Sequence, residues 1–336
     1  MRHLLAAALV IPFCVPAAVA QGPTVTTDVE EWEVPFERSR PRDPYVAPDG
    51  RVWFVGQVGN YLAVLDPKSG AIDRVEIDEG TNPHNLIVDT RGRVWYAGNR
   101  NGMIGMYDPA TKAITRHPMP EAVRDPHTLI FDGSGNIWFT AQQSGYVGRL
   151  QMASGKVDVI KVPGERTRPY GIVVDAQGTP WFVQFGTNIL SSINPRTLAL
   201  TDYALPDGAR PRRMALGPNG TIWYVDYARG FLGRLDPRTR QVKEWASPSG
   251  RAALPYAMAS DDLGRMWYVE TGPRPNRLVA FDPATERFVI NQPVGIEGPN
   301  TIRHMVFHAP TRSIWYGSDA NMVGRIEVPR STAPVP

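Results

Sequence analysis

The 336-residue chain carries 36 Lys and Arg against 33 Asp and Glu, for a formal net charge of +3, and is 42% hydrophobic with a single Cys. Its cations are scattered rather than clustered, which excludes the basic footprint of a nucleic-acid binder. One Cys excludes a disulfide framework, and beyond the N-terminus no apolar run is long enough to span a bilayer.

Residues 1–20 read as a secretory signal peptide. Arg2 and His3 precede an apolar run from Leu4 to Val15, and Ala18-Val19-Ala20 offers a small-residue cleavage site before Gln21. Cys14 falls inside that segment, so the mature chain has no thiol chemistry. A periplasmic or secreted protein is expected, with residues 21–336 forming one domain.

The next segment, Val29-Glu30-Glu31-Trp32-Glu33-Val34, resembles outer-strand runs found later, such as Val242-Lys243-Glu244-Trp245. From there a repeat takes over. Trp53, Trp95, Trp138, Trp181, Trp223, Trp267 and Trp315 are each followed by Phe or Tyr. A repeat near 40–45 residues with one Trp strand per unit predicts a β-propeller blade, and seven units predict seven blades. The fold class is therefore all-β, with four antiparallel strands per blade. Three residues before the Trp stands Gly in six units (Gly50, Gly92, Gly135, Gly178, Gly220, Gly264), where a tight turn needs positive φ. Twelve before it stands Pro in six units (Pro41, Pro83, Pro126, Pro169, Pro211, Pro255), marking the start of the innermost strand. After Trp315 only about one further strand remains, from Asn321 to Val328, so the Val29–Val34 segment is expected to complete the last blade and remove its open edge.

The first residue of each innermost strand should face one mouth of the central channel. Counted eleven before each Trp, these are Arg42, His84, His127, Tyr170, Arg212, Tyr256 and His304. Such a ring is cationic and rich in hydrogen-bonding groups, suited to carboxylate, carbonyl or phosphate. The end of the Trp strand returns to the same mouth, bringing Asn99 and Gln142 beside His84 and His127 and confining carboxylates to Asp226, Glu270 and Asp319. His117 and His308 fall on neither ring. No phosphate-binding loop, dinucleotide glycine pattern, zinc-ligand spacing or serine elbow occurs in a fitting context.

The units Pro83-His84-Asn85-Leu86 and Asp125-Pro126-His127-Thr128 resemble those of the virginiamycin B lyases (streptogramin lyases). So do the runs Val147-Gly148-Arg149, Leu232-Gly233-Arg234 and Val323-Gly324-Arg325. The resemblance covers the mature chain. It implies an elimination that opens a cyclic depsipeptide at its ester, assisted by Mg2+ and without water. On the run Pro83-His84, Asp125-Pro126-His127, Pro169-Tyr170-Gly171 it implies His127 as proton acceptor, His84 as substrate-positioning group and Asp125 as metal ligand. Gln142 stands where the family carries a second, Glu ligand. This match rotates the family's constellation by three blades. The unrotated register keeps His304 as base and Asp319 as acid, with Tyr256 and Ile302 at the partner positions.

The expectation is an exported lyase-like enzyme, a monomer, acting on a small-molecule or cyclic-peptide substrate with carbonyl or anionic groups. Arg42, Tyr170, Arg212, Tyr256 and Asn99 would bind that substrate. Two alternatives remain open: a non-catalytic periplasmic propeller that binds an anionic ligand or a protein partner, and a metal-dependent lactonase.

Overall fold

The computed structural model describes residues 25–296 and 300–330. The expected signal peptide lies outside the described residues. Among these residues twenty-eight strands, numbered β1–β28 in chain order, form seven four-stranded antiparallel sheets. The innermost strands are β2 (Pro41–Val46), β6 (Pro83–Val88), β10 (Pro126–Phe131), β14 (Pro169–Val174), β18 (Pro211–Leu216), β22 (Pro255–Ser260) and β26 (Ile302–His308). Each packs against the next, and β26 returns to β2, so the ring is closed. No helix among the described residues is long and apolar enough to cross a membrane.

The repeat's residues have identifiable physical jobs. All six turn glycines take positive φ, between 73° and 87°. In four blades an Asp six residues before the Trp (Asp89, Asp132, Asp175, Asp261) accepts the indole N–H at 2.8–3.1 Å. The same carboxylate also accepts backbone N–H groups of the turn, as Asp89 does from Arg91 and Arg93. A buried Trp needs such a partner for its N–H. The Gly-Arg runs are equally structural. Gly148, Gly233 and Gly324 lie opposite Phe139, Tyr224 and Tyr316, whose rings occupy the space a Cβ would need. The adjoining Arg149, Arg234 and Arg325 lie over the Trp rings, 5.4–5.9 Å from the centroid. Those motifs are therefore marks of the blade, whatever chemistry it carries. The core sits in the joints between blades, for example Trp53 and Val55 against Leu86, Val94 and Tyr96.

Ring closure follows the sequence expectation. β1 (Val29–Glu33) pairs antiparallel with β28 (Met322–Glu327), with Val29 opposite Ile326 and Glu33 opposite Met322. Trp32 stacks on Trp315 at 5.5 Å between centroids, and the Tyr316 hydroxyl donates to Glu31 at 2.8 Å. Blade seven thus takes three strands from one end of the chain and one from the other.

Candidate functional site

Near the start of each innermost strand one or two residues leave the sheet ladder. In β6, for example, Pro83 pairs with Gly98, and pairing resumes only at Leu86 opposite Tyr96. The same shift occurs in β10, β14, β22 and β26, whereas β18 leaves the ladder at Arg212 alone and β2 leaves it at Asp43 and Pro44 with Arg42 still opposite Val55. Such bulges re-aim side chains next to functional sites. Here the residue after the Pro faces one channel mouth, and the next one lies a level deeper.

The mouth is a cavity of about 390 Å³ lined by Arg42, His84, Asn99, Asp125, His127, Gln142, Tyr170, Arg212, Tyr256 and Arg303 among others. The sequence-derived ring is thus assembled in six of its seven positions. The exception is His304. Ile302, not Arg303, pairs with Ser318 at the position the Pro takes elsewhere. Blade seven carries one extra residue in the turn before its Trp strand, through Ala309–Thr311 and the left-handed Arg312. Counting eleven back from Trp315 therefore stops one residue short. Arg303 faces the mouth, and His304 drops to the deeper level, where it lines a different cavity.

His84 and His127 lie in contact with centroids 3.6 Å apart and their planes tilted by 35°, and His127 lies 4.3 Å from Tyr170. Arg42 Nη1 approaches His84 Nε2 at 2.8 Å and donates to Gln57 at 3.1 Å. A guanidinium can only donate, so the His84 Nε2 lone pair is committed to Arg42. His127 Nδ1 meets Thr128 Oγ1 at 2.8 Å, while its Nε2 is buried and has no hydrogen-bond partner among the described residues. Burial, and then the nearby guanidinium groups, hold both imidazoles well below their usual pKa, so they are neutral. Tyr170 and Tyr256 share a hydrogen bond between hydroxyls. Burial pushes both phenols up. For Tyr256, Arg212, Arg42, Arg213 and Arg303 outweigh it and pull the phenol below its usual range, whereas Tyr170 stays above.

Among the described residues, Arg212 is held without an acid. Its guanidinium carbon lies 3.5 Å from the Tyr256 ring centroid, 4.3 Å from Tyr227, 4.9 Å from Phe185 and 5.5 Å from Tyr170. Arg303 instead pairs with Asp319, which also takes Arg40 Nε at 3.2 Å. The other mouth-side carboxylates are likewise occupied. Asp226 accepts the Arg210 and Ala228 N–H groups and pairs with Arg229, and Glu270 binds Ser249.

Asp125 lines the mouth, but its carboxylate is engaged. It accepts the backbone N–H of Gln143 at 2.5 Å and of Ser144 at 2.9 Å, as well as the Ser144 hydroxyl. It therefore fastens the turn after the blade-three Trp strand. Gln142 lines the same cavity and brings an amide, not a charge. No group of three or more His, Cys, Asp or Glu among the described residues could hold a metal ion. A Mg2+ ion favours carboxylate oxygens, and these residues present guanidinium groups and an already bonded acid. The donor set does not fit the expected magnesium. It fits an anion.

The model of the Virginiamycin B lyase family matches residues 92–333. Among solved structures, a streptogramin B lyase superposes with a TM-score of 0.80 at 24% identity, covering 90% of this chain and 98% of its own. Virginiamycin B lyase from Staphylococcus aureus superposes with a TM-score of 0.81 at 19% identity, covering 90% of this chain and 100% of its own. A catalytically inactive histidine-to-alanine variant of virginiamycin B lyase from the same organism, solved with quinupristin, gives the same values. At these identities the structural likeness establishes the fold alone. No curated protein matches the chain.

Proposed function

Because the chain belongs to the virginiamycin B lyase family, we propose that it is an exported carbon–oxygen lyase whose reaction takes place at the His84–His127 mouth. The observation that carries this reading is the bare, buried Nε2 of a neutral His127, set in a cavity that also holds Arg212, a guanidinium without an acid partner. With Nδ1–H donating to Thr128 Oγ1, Nε2 is free to accept a proton from the carbon next to the one that bears the ester or lactone alkyl oxygen, a C–H made acidic by its own neighbouring carbonyl. That C–H pair becomes the new C=C bond. The C–O bond breaks and its electrons leave on the carboxylate oxygen. Negative charge developing on the carbonyl oxygen and the leaving carboxylate meets Arg212 and Arg42. His84, locked by Arg42, fixes the face of the His127 ring and positions substrate.

Burial, and after it the nearby guanidinium groups, make His127 a weak base on its own. An anionic substrate on Arg212 offsets their charge and raises the base toward neutrality, so substrate binding itself prepares the proton acceptor. Mass spectrometry of cyclic depsipeptides and lactones incubated with the protein separates the readings. Ring opening by elimination gives an isomer of unchanged mass with a new C=C absorbance, whereas hydrolysis adds a water and would favour the lactonase reading. His127→Ala should lose at least ~100-fold in turnover, and turnover should persist in EDTA. A ligand whose binding needs Arg212 but which is never turned over, even by the wild type, would instead make this a binding module.

A further inference from the structure

Beneath the mouth lies a second chamber of about 370 Å³, at the far end of the same inner strands, and the two share no lining residue. Its walls are aliphatic, with Leu86, Leu129, Ile172, Met214, Met258 and Met305 among them. Its roof is polar, made by the deeper level of the ring: Arg213, His304, Asn85 and Thr128.

That roof is electrically unbalanced. Asp43, wholly buried, lies between Arg42 Nε at 3.5 Å and Arg213 Nη2 at 3.6 Å and accepts Asn85 Nδ2 at 2.9 Å. Two guanidinium groups thus share one carboxylate, leaving one positive charge without a counter-ion. Arg42 faces the mouth; Arg213 faces the chamber. Arg213 donates to Thr128 Oγ1 and the Arg303 carbonyl at 3.3 Å, but its Nη2 and the neighbouring His304 Nδ1 have no hydrogen-bond partner among the described residues. A guanidinium that is only 3% exposed and has to share one carboxylate with a second guanidinium is costly unless a further anion joins it.

We propose that this chamber is a binding site for a single-chain aliphatic carboxylate, its head on Arg213 and His304 and its tail along the aliphatic wall. One unbalanced positive charge matches a monoanion, and three unbranched Met side chains adapt to a flexible tail. The tail would leave past Tyr45, Phe131, Leu216 and Phe307, which line the same chamber and are only partly buried. This site is separate from the lyase reading and stands or falls without it.

The test is calorimetric titration of the full chain with sodium dodecanoate below its micelle concentration. Saturable one-to-one binding is expected, at least ~10-fold tighter than for dodecyltrimethylammonium, which has the same tail and the opposite head. With methyl-labelled methionine, Met214, Met258 and Met305 should shift on binding while Met103 and Met106 stay put. Arg213→Gln should weaken binding at least ~10-fold. Because that residue is buried and the variant could unfold, Ser260→Phe at the partly exposed lip of the chamber supplies the second arm. It should block binding with the melting transition retained. Absence of saturable binding, or binding indifferent to Ser260→Phe, overturns the proposal. So does binding lost on Arg212→Ala, which would place the dodecanoate in the mouth.

Discussion

Mild acid should destabilise this ring well before its carboxylates titrate. His304 is held at about 4, chiefly by burial, with Asp43 opposing and Arg213 and Arg42 adding to the depression. Burial likewise holds His84 and His127 well below 6.5. The folded protein therefore refuses protons that the unfolded chain accepts near pH 6.5. The contribution of each histidine is complete above that pH and drains as pH falls toward the folded value. For His304 the interval from 6.5 to about 4 corresponds to about 3 kcal/mol, of which about 2 kcal/mol is gone by pH 5. His84 and His127 add to the loss in the same direction and over the same side of pH 6.5. Glu270, whose carboxyl is raised by burial, binds its proton first in the folded state and offsets part of this loss. Asp43, Asp158 and Asp319, held low, contribute only below that window. Urea unfolding followed by Trp fluorescence from pH 8 to 5, at fixed ionic strength, measures the slope. His304→Gln should flatten it by up to ~1.4 kcal/mol per pH unit. A flat profile between pH 7 and 5, or a wild-type slope in His304→Gln, would refute the assignment of buried neutral histidines.

Trp32→Ala removes the stack on Trp315 that locks β1 into blade seven, and should cost about 2–3 kcal/mol by urea unfolding. Removing residues 22–40 altogether should abolish the cooperative melting transition, and a truncated protein with an unchanged transition would deny the closure. Gly324→Ala places a methyl group against the Tyr316 ring and should cost about 1–3 kcal/mol, measured the same way. Asp125→Asn weakens charge-assisted bonds to Gln143 and Ser144 and should lower stability by about 1–2 kcal/mol, leaving any turnover indifferent to added Mg2+. Restoration of that variant by high Mg2+ would revive the metal role.

The blade count, the turn glycines and the closing strand were legible because each rests on a repeated local requirement, and repetition exposes it. The six mouth residues were legible for the same reason. His304 was misplaced because its register was counted from Trp315, although blade seven has neither the Pro nor the turn Gly of its sisters. Those two missing residues were the available signal that its turn differs in length. Arg303 was missed with it. Asp125 was misleading for another reason. An acid before a Pro reads alike whether its oxygens face a cation or a turn two strands away, and only the fold brings Ser144 beneath it. The Asp43–Arg213 pair was invisible because its partners lie in blades one and five.

The pairing of β1 with β28 also sets a timetable. Val29 finds its partner, Ile326, only after nearly the whole chain has been made. At ~5–20 residues per second this strand waits on the order of tens of seconds with an open edge. Its sequence suits the wait, because Glu30, Glu31 and Glu33 put three charges on five residues. Like charges on an idle strand discourage it from pairing with a second nascent chain. Two of them then find their places in the finished ring, Glu30 on Arg325 and Glu31 on Tyr316. The same glutamates guard the strand while it is alone and fasten it once its partner arrives.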